Sequence, residues 1–208
     1  MRIQSPFEEK LNASTHAIGI LFGIIALILL LFKDTNKTPW SLESVIVYGL
    51  TLIILFTAST FYHGINHPER KHYYRILDHI SIYFLIAGTY TPVCLITLES
   101  GLGWTIFYIV WAIAIFGTIL KVFFTGRFEI FSTLLYLIMG WLIVFDFSSL
   151  SHSLHFNGLL LMFIGGLAYT LGIVFYVVEK IPYNHVIWHF LVLIGAISHF
   201  FMIYLYVI

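Results

Sequence analysis

Two histidines open the last apolar segment of this chain at a spacing that suits metal binding. His185 and His189 are four residues apart, so on a helix their side chains share one face, with Cβ atoms roughly 5–6 Å apart. Two imidazoles so placed can bind one metal ion. Because such polar side chains are costly at the edge of a membrane, the pair raises the question of whether further ligands reach the same place.

The composition indicates a protein that lies within a membrane. Hydrophobic residues make up 60% of the chain and charged residues only 10%, whereas soluble domains contain about 25% charged residues. The apolar residues form blocks of about 20, the length that crosses roughly 30 Å of hydrocarbon as a helix. A net charge of zero, with few basic clusters, argues against nucleic acid as a partner.

Seven such blocks predict an all-α integral membrane protein, a bundle of seven transmembrane helices forming a single domain over residues 1–208. The connections between blocks are short and contain most of the polar and turn residues, so no soluble domain fits into them. The helices are expected at approximately 14–32, 44–63, 76–98, 103–124, 130–150, 156–178 and 185–208.

The basic residues predict the orientation of this bundle, because cytoplasmic loops carry an excess of Lys and Arg. The side that holds the N-terminus contains Arg2, Lys10, Arg70, Lys71, Arg75, Lys121, Arg127 and Lys180. The opposite side contains Lys33 and Lys37. We therefore expect a cytoplasmic N-terminus and an outside C-terminus, in a plasma membrane of the bacterial type.

The number of crossings places several polar residues on one membrane face. His63 closes helix two, Asp78 lies one turn into helix three, and His185 and His189 open helix seven. With seven crossings these positions share one side, so all four side chains are expected at similar depth in the cytoplasmic half. Ser59 precedes His63 by four residues, which places it on the same helix face about 6 Å deeper.

These side chains predict a catalytic metal centre. Three neutral imidazoles leave the fourth tetrahedral position of zinc open, and zinc can lower the pKa of a bound water towards about 7. Asp78 could orient that water and accept its proton, and Ser59 could donate a hydrogen bond to the water or to a developing oxyanion. Imidazole ligands favour zinc without excluding iron or manganese. The expected chemistry is metal-assisted hydrolysis of a substrate that reaches the site from the lipid.

At these residues the chain resembles the hemolysin III branch of the progestin and adipoQ receptor superfamily. The resemblance spans essentially the whole chain, and adiponectin receptors and alkaline ceramidases are similar in sharing the Ser, Asp and three-His pattern. The motifs that carry it are Ser59-x-x-x-His63, Leu77-Asp78-His79-x-x-Ile82, His185-x-x-x-His189 and an opening Glu8-Glu9-x-x-Asn12-x-x-Thr15-His16.

The resemblance implies a seven-helix fold in which zinc is bound by His63, His185 and His189. It also implies that Asp78 contacts a zinc-bound water, with Ser59 close by. Receptor members carry a sizeable cytoplasmic region before helix one. This chain has almost nothing there, so hormone-type receptor function is not expected to carry over.

A polar stripe on the first helix is a candidate support for the metal ligands. Glu9, Asn12 and His16 follow i, i+3, i+7 spacing and share one helix face, and a metal-bound histidine often donates its other nitrogen to a polar partner. Helix capping by Asn12 or Ser14 is the alternative, and we favour it. His79 points about 100° away from the preceding aspartate around the helix, so it is expected to support the site or to pack.

Each assignment has a structural alternative. A histidine in a membrane commonly hydrogen-bonds a neighbouring helix, and Ser59 could pack at an interface of small residues. Asp78 could instead pair with Arg75 or Lys71 at the membrane surface. His199 lies ten residues beyond His189, about 15 Å deeper, and is expected to bond another helix. His67, His72, His152 and His155 are expected in loops.

Three functions are compatible with these features. The first is a zinc-dependent intramembrane hydrolase that cleaves an amide or ester bond of a lipid by a ceramidase-like mechanism and serves membrane lipid homeostasis. The alternative is a non-enzymatic regulator of the membrane, or a receptor-like protein, with a structural zinc. A pore-forming cytolysin is less supported, because a secreted pore former needs a water-soluble state that so apolar a chain lacks.

Overall fold

The computed structural model describes residues 4–208, and the predicted cytoplasmic Arg2 lies outside them. Within the described residues the chain is helical, without strands, and seven spans are long and apolar enough to cross a membrane. The prediction of an all-α integral membrane protein with seven spans is confirmed. The spans are Pro6–Lys33, Ser41–Gly64, Pro68–Thr97, Gly103–Phe124, Glu129–Ser153, Phe156–Val177 and Asn184–Val207.

Three of the spans are not uniform α-helices. The third and seventh end in π-helical turns at Val93–Thr97 and Ile203–Val207, and a 3₁₀ segment at Leu142–Asp146 divides the fifth. The α-helices in chain order are α1 (Pro6–Lys33), α2 (Ser41–Gly64), α3 (Pro68–Pro92), α4 (Gly103–Phe124), α5 (Glu129–Trp141), α6 (Phe147–Ser153), α7 (Phe156–Val177) and α8 (Asn184–Met202).

Helices α1 and α3 begin at Pro6 and Pro68, eight residues before the predicted starts at residues 14 and 76. The apolar blocks mark only the part of each helix that crosses hydrocarbon, whereas local signals decide where a helix begins. In α3 the signal is a proline at the first helical position, Pro68. Ser5 caps α1: its hydroxyl accepts from the Glu8 amide, and the Glu8 carboxylate accepts from the Ser5 amide. The prediction that Asn12 or Ser14 caps this helix is therefore wrong.

The earlier start of α3 also corrects the depth of Asp78 within its helix. This residue is about three turns inside α3, not one turn as predicted. The polar first turns of α1 and α3 therefore extend the bundle beyond the apolar blocks, at the end where most basic residues lie. We call this end, with Lys10, Lys71, Arg75 and Lys121, the basic end of the bundle.

Small residues allow the first three helices to approach closely along their length. A Cβ added to Gly19 of α1 would collide with the Phe56 ring of α2, and one added to Gly88 of α3 would collide with Thr51. Such contacts are typical of helix packing in membranes, where small residues bring backbones together. They hold α1, α2 and α3 in a fixed register, which in turn fixes His16 beside Phe56, with ring centroids 5.1 Å apart.

The break in the fifth span is closed by a side chain from α3. The Tyr90 hydroxyl donates to the Gly140 carbonyl and accepts from the Ile143 amide, both at 3.0 Å. In hydrocarbon an unpaired main-chain group costs several kcal/mol, so a break in a helix needs such partners. Tyr90 thereby joins the third span to the middle of the fifth.

Candidate metal centre

Three histidines from two helices converge at the basic end of the bundle. His63 lies in the last turn of α2, and His185 and His189 lie in the first two turns of α8. One ring nitrogen from each lies within 4.8 Å of those of the other two. All three side chains are buried, with exposed fractions of 3%, 8% and 1%. The structure therefore brings the three predicted ligands together.

Hydrogen bonds on the outer side of two rings fix which nitrogen can bind a metal. His63 Nδ1 lies 2.6 Å from Glu9 Oε2, and His189 Nδ1 lies 3.2 Å from the main-chain oxygen of Asn12. Because a carboxylate and a carbonyl only accept hydrogen bonds, both Nδ1 atoms must donate. Each Nε2 then carries a lone pair, and His63 Nε2 is buried without a hydrogen-bond partner among the described residues.

Glu9 is itself held in place by a base from a third helix. Lys71 of α3 donates to Glu9 Oε1 at 2.8 Å, and its ammonium lies 5.1 Å from the centroid of the Tyr62 ring. A single carboxylate from α1 thus links α2 and α3 while it orients His63. This is the arrangement in which a polar partner tunes a metal-binding histidine from outside.

The whole polar stripe of α1 faces the three histidines. Glu9 contacts His63, the Asn12 carbonyl contacts His189, and the His16 ring stacks on His189 with centroids 3.8 Å apart and planes inclined by 19°. His16 is 3% exposed. The stripe, for which the sequence left support of the ligands or capping open, therefore contacts two of the three ligands, His63 and His189.

Asp78 and Ser59 lie beside the same cluster. Ser59 is buried, and its hydroxyl interacts with the Asp78 carboxylate, which also faces His63 electrostatically. Of the bases proposed as alternative partners of Asp78, Lys71 bonds Glu9, whereas Arg75 bonds Glu129 at 3.1 Å and also interacts electrostatically with Asp78. Asp78 is half-buried because it lines an internal cavity.

The cavity has a volume of about 130 Å³ and extends from the cluster into the apolar interior. At its polar end lie Ser59, Asp78 and His189, and at its far end lies His199. Two residues ten apart on one helix differ by about 15 Å in height, so the cavity follows α8 through much of its length. Its middle is lined by apolar and aromatic side chains, among them Ile82, Leu85, Ile86, Trp141, Tyr169, Ile173, Tyr176, Trp188 and Val192.

The remaining predicted histidines lie outside the cluster. The Nε2 atom of His199 lies 3.2 Å from the Met162 carbonyl of α7, as expected for a histidine that bonds another helix. His152 contacts the Ser148 carbonyl, and His155 accepts from the Asn157 amide, both at the opposite end of the bundle. His67 is exposed just before α3, and His72 is exposed within its first turns. His72 and His152 thus lie in helices, so the prediction that they lie in loops is wrong.

A second polar cluster near the site was missed by the sequence reasoning. Glu129, at the start of α5, accepts from Lys121 at 2.7 Å and from Arg75 at 3.1 Å, and its Oε2 lies 3.7 Å from His79 Nδ1. The available signal was Lys121: a lysine in an apolar helix requires an acidic partner, and Glu129 begins the next helix after a short turn.

The family model and two similar proteins of known name both point to haemolysin III. A family model described as haemolysin-III related matches residues 4–200. The chain is 45% identical over 202 residues to Hemolysin-3 of Bacillus cereus, covering 97% of this chain and 92% of that protein. It is 42% identical over 200 residues to a Hemolysin-3 homolog of Bacillus subtilis (strain 168), covering 96% and 94%. The human monocyte to macrophage differentiation factor is 29% identical over 206 residues, covering 96% and 84%.

Proposed function

This chain belongs to the haemolysin-III-related family, and on that premise we propose that it is a zinc-dependent intramembrane hydrolase. Its substrate is a lipid with an amide or ester bond. The observation that carries the proposal is the convergence of three buried imidazoles with Asp78 and Ser59 at the polar end of an apolar cavity.

The donor set fits zinc. Three imidazoles supply nitrogen ligands, and the unpartnered, buried Nε2 of His63 is an atom that costs free energy unless something binds it. His63, His185 and His189 would hold the ion and leave one tetrahedral position for water or substrate. When bound, zinc supplies a Lewis acid that polarises a carbonyl and activates water near neutral pH.

Asp78 and Ser59 divide the remaining work in this proposal. Asp78 accepts the proton of the attacking water and passes it to the leaving amine or alcohol. Once Asp78 has taken up that proton, the Ser59 hydroxyl is free to donate its hydrogen bond to the oxygen on which negative charge develops. Because the surroundings are apolar, each of these interactions is stronger than it would be in water.

The cavity gives the proposal its substrate class. Its middle and far end are lined mainly by apolar and aromatic side chains, which suits an alkyl chain, while the bond to be cleaved lies at the polar end. The excess of basic residues at this end favours the cytoplasmic half of the membrane. The proposed role is maintenance of membrane lipid composition.

The test is release of fatty acid by the purified protein from a panel of lipid amides and esters, before and after zinc removal by a chelator. We expect release that stops on chelation and returns with zinc. A protein that holds zinc and releases nothing from any member of the panel would overturn the proposal in favour of a structural zinc.

Asp78→Asn separates catalysis from metal binding within the same assay. The amide cannot accept the proton, so turnover should fall by about 10²–10⁴-fold while the zinc content stays that of the wild type. Asp34→Asn, beyond the opposite end of α1, is the matched control and should retain full activity. Normal turnover by Asp78→Asn would contradict the role of Asp78 as base.

A further inference from the structure

His79 lines the cavity and lies beside the start of α5. Its Nδ1 lies 3.7 Å from Glu129 Oε2, and the side chain is 4% exposed. This distance is longer than a hydrogen bond, so in this structure the contact is electrostatic. The pair consists of a buried imidazole and a carboxylate from two different helices, and neither takes part in the metal centre described above.

The carboxylate of Glu129 is held firmly beside this imidazole. Oε1 accepts from Arg75 of α3 at 3.1 Å and from the Gly126 amide at 3.0 Å, and Oε2 accepts from Lys121 of α4 at 2.7 Å. Groups from three parts of the chain therefore fix both oxygens. A fixed negative charge next to Nδ1 favours the imidazole tautomer with its hydrogen on Nδ1.

The other ring nitrogen of His79, Nε2, is available to a molecule in the cavity. His79 lines the cavity together with Ser59, Asp78 and His185. Since Nδ1 faces Glu129, Nε2 is the nitrogen that can meet a group inside, and in this tautomer it carries a lone pair. The Tyr136 hydroxyl donates to the main-chain oxygen of His79 at 2.9 Å, which ties this position to α5 a second time.

We propose that His79, oriented by Glu129, accepts a hydrogen bond from a donor on the lipid that occupies the cavity. The inference rests on the hydrolase function proposed above and deepens it, because it selects lipids with an N–H or O–H beside the bond to be cleaved. His79 contacts the substrate and Glu129 is a positioning residue. Catalytic hydrogen bonds are often long before substrate binds, so the 3.7 Å contact shortens in the complex.

Binding to the zinc-loaded protein, measured by stopped flow before the probe is cleaved, tests this without depending on turnover. Trp141 and Trp188 line the cavity, so a lipid with a brominated chain quenches their fluorescence when it enters. Three probes with the same chain distinguish the donors: an N-methyl amide offers an N–H, a monoacylglycerol offers O–H groups, and a methyl ester offers neither. The wild type should bind the first, the second or both more tightly than the third.

His79→Phe should weaken binding of the preferred donor probe by about tenfold, the effect of one buried hydrogen bond, and leave the methyl ester unchanged. His79→Gln, which offers an acceptor oxygen, should restore part of the difference. Glu129→Gln should weaken the same probe by about threefold, because it loosens the ring without removing Nε2. His152→Phe and Glu43→Gln, at the opposite end, are the matched controls. Zinc content and melting temperature equal to those of the wild type show that the fold is intact.

Equal affinities of His79→Phe and the wild type for the donor probes would overturn the proposal, as would an equal loss for all three probes. If His79→Phe does not fold, Glu129→Gln decides the question. Weaker binding of the donor probes alone supports the proposal, and unchanged binding or an equal loss for all three probes overturns it. A wild type that shows the expected preference but cleaves no lipid would overturn the hydrolase function and leave the role of His79 standing.

Discussion

Asp146 and His63 lie at opposite ends of the bundle, and both are buried. Asp146 accepts from the Leu102 amide at 3.2 Å and from the Ser149 hydroxyl at 2.5 Å, so its two oxygens serve the connections around the fourth and fifth spans. His63 uses Nδ1 for Glu9, but its Nε2 has no hydrogen-bond partner within residues 4–208. The first arrangement is complete within the chain, whereas the second leaves an atom for a ligand.

The lysines at the two ends differ in the same way. Lys33 donates to the main-chain oxygen of Tyr204 and so satisfies the end of another helix. Lys71 donates to Glu9, which in turn bonds His63. Polar side chains in a membrane are costly, and those at the two ends of the bundle have two different roles. One end completes main-chain hydrogen bonding, and the other orients a group that is available to bind something else.

Removing a metal ligand should have the largest effect, because it removes the property that distinguishes the basic end from the opposite end, the ability to bind zinc. His189→Ala should reduce the zinc content of the purified protein from about one equivalent to less than about a tenth, because two imidazoles hold zinc far more weakly than three. Elemental analysis in detergent measures this. His199→Ala, on the same helix but bonded to Met162, is the control and should keep its zinc. Full zinc content in His189→Ala would show that the cluster is not a metal centre.

Loss of the Glu9 carboxylate, which orients His63, should have a smaller effect on zinc binding. Glu9→Gln should weaken zinc affinity by about 10–100-fold, as is typical when the outer partner of a metal-binding histidine is changed. Competition with a chromophoric chelator gives the affinity. Glu43→Gln changes an exposed glutamate at the other end and should leave the zinc affinity unchanged. An unaltered affinity in Glu9→Gln would mean that Glu9 only joins helices.

At the opposite end the expected effect is on stability alone. Asp146→Ala leaves the Leu102 amide and the Ser149 hydroxyl without their acceptor, which should cost about 1–3 kcal/mol. A lower melting temperature in detergent, with zinc content and fatty acid release per folded molecule unchanged, is the expected result. If the variant also loses zinc, the two ends are coupled and the contrast between them does not hold.

Much of this arrangement could be predicted because it depends on helix count. Seven apolar blocks place His63, His185 and His189 on one side of the membrane whatever the details of packing, and their i, i+4 spacing places two of them on one face. The stripe of Glu9 and His16 also follows from helical periodicity alone. These features survive small errors in where each helix begins.

Features that depend on the contacts between particular side chains were not predicted. The start of α1 depends on a hydrogen-bonded cap at Ser5, which an apolar block does not reveal. Glu129 was not among the predicted site residues, and its contacts with Arg75 and His79 join segments about 50 residues apart. No periodicity relates such positions, so only the packing of α3 against α5 brings them together.

The oxygen of Tyr90 has a consequence for how the cavity can change shape. It satisfies one carbonyl and one amide on either side of the break in the fifth span, so it links the two parts of that span to each other and to α3. With this hydroxyl in place we expect α5 to move together with α3, and Trp141, which lines the cavity, to move with them. In Tyr90→Phe the two parts of the fifth span would be able to move separately. The Gly140 carbonyl and the Ile143 amide would then lose this hydrogen-bond partner.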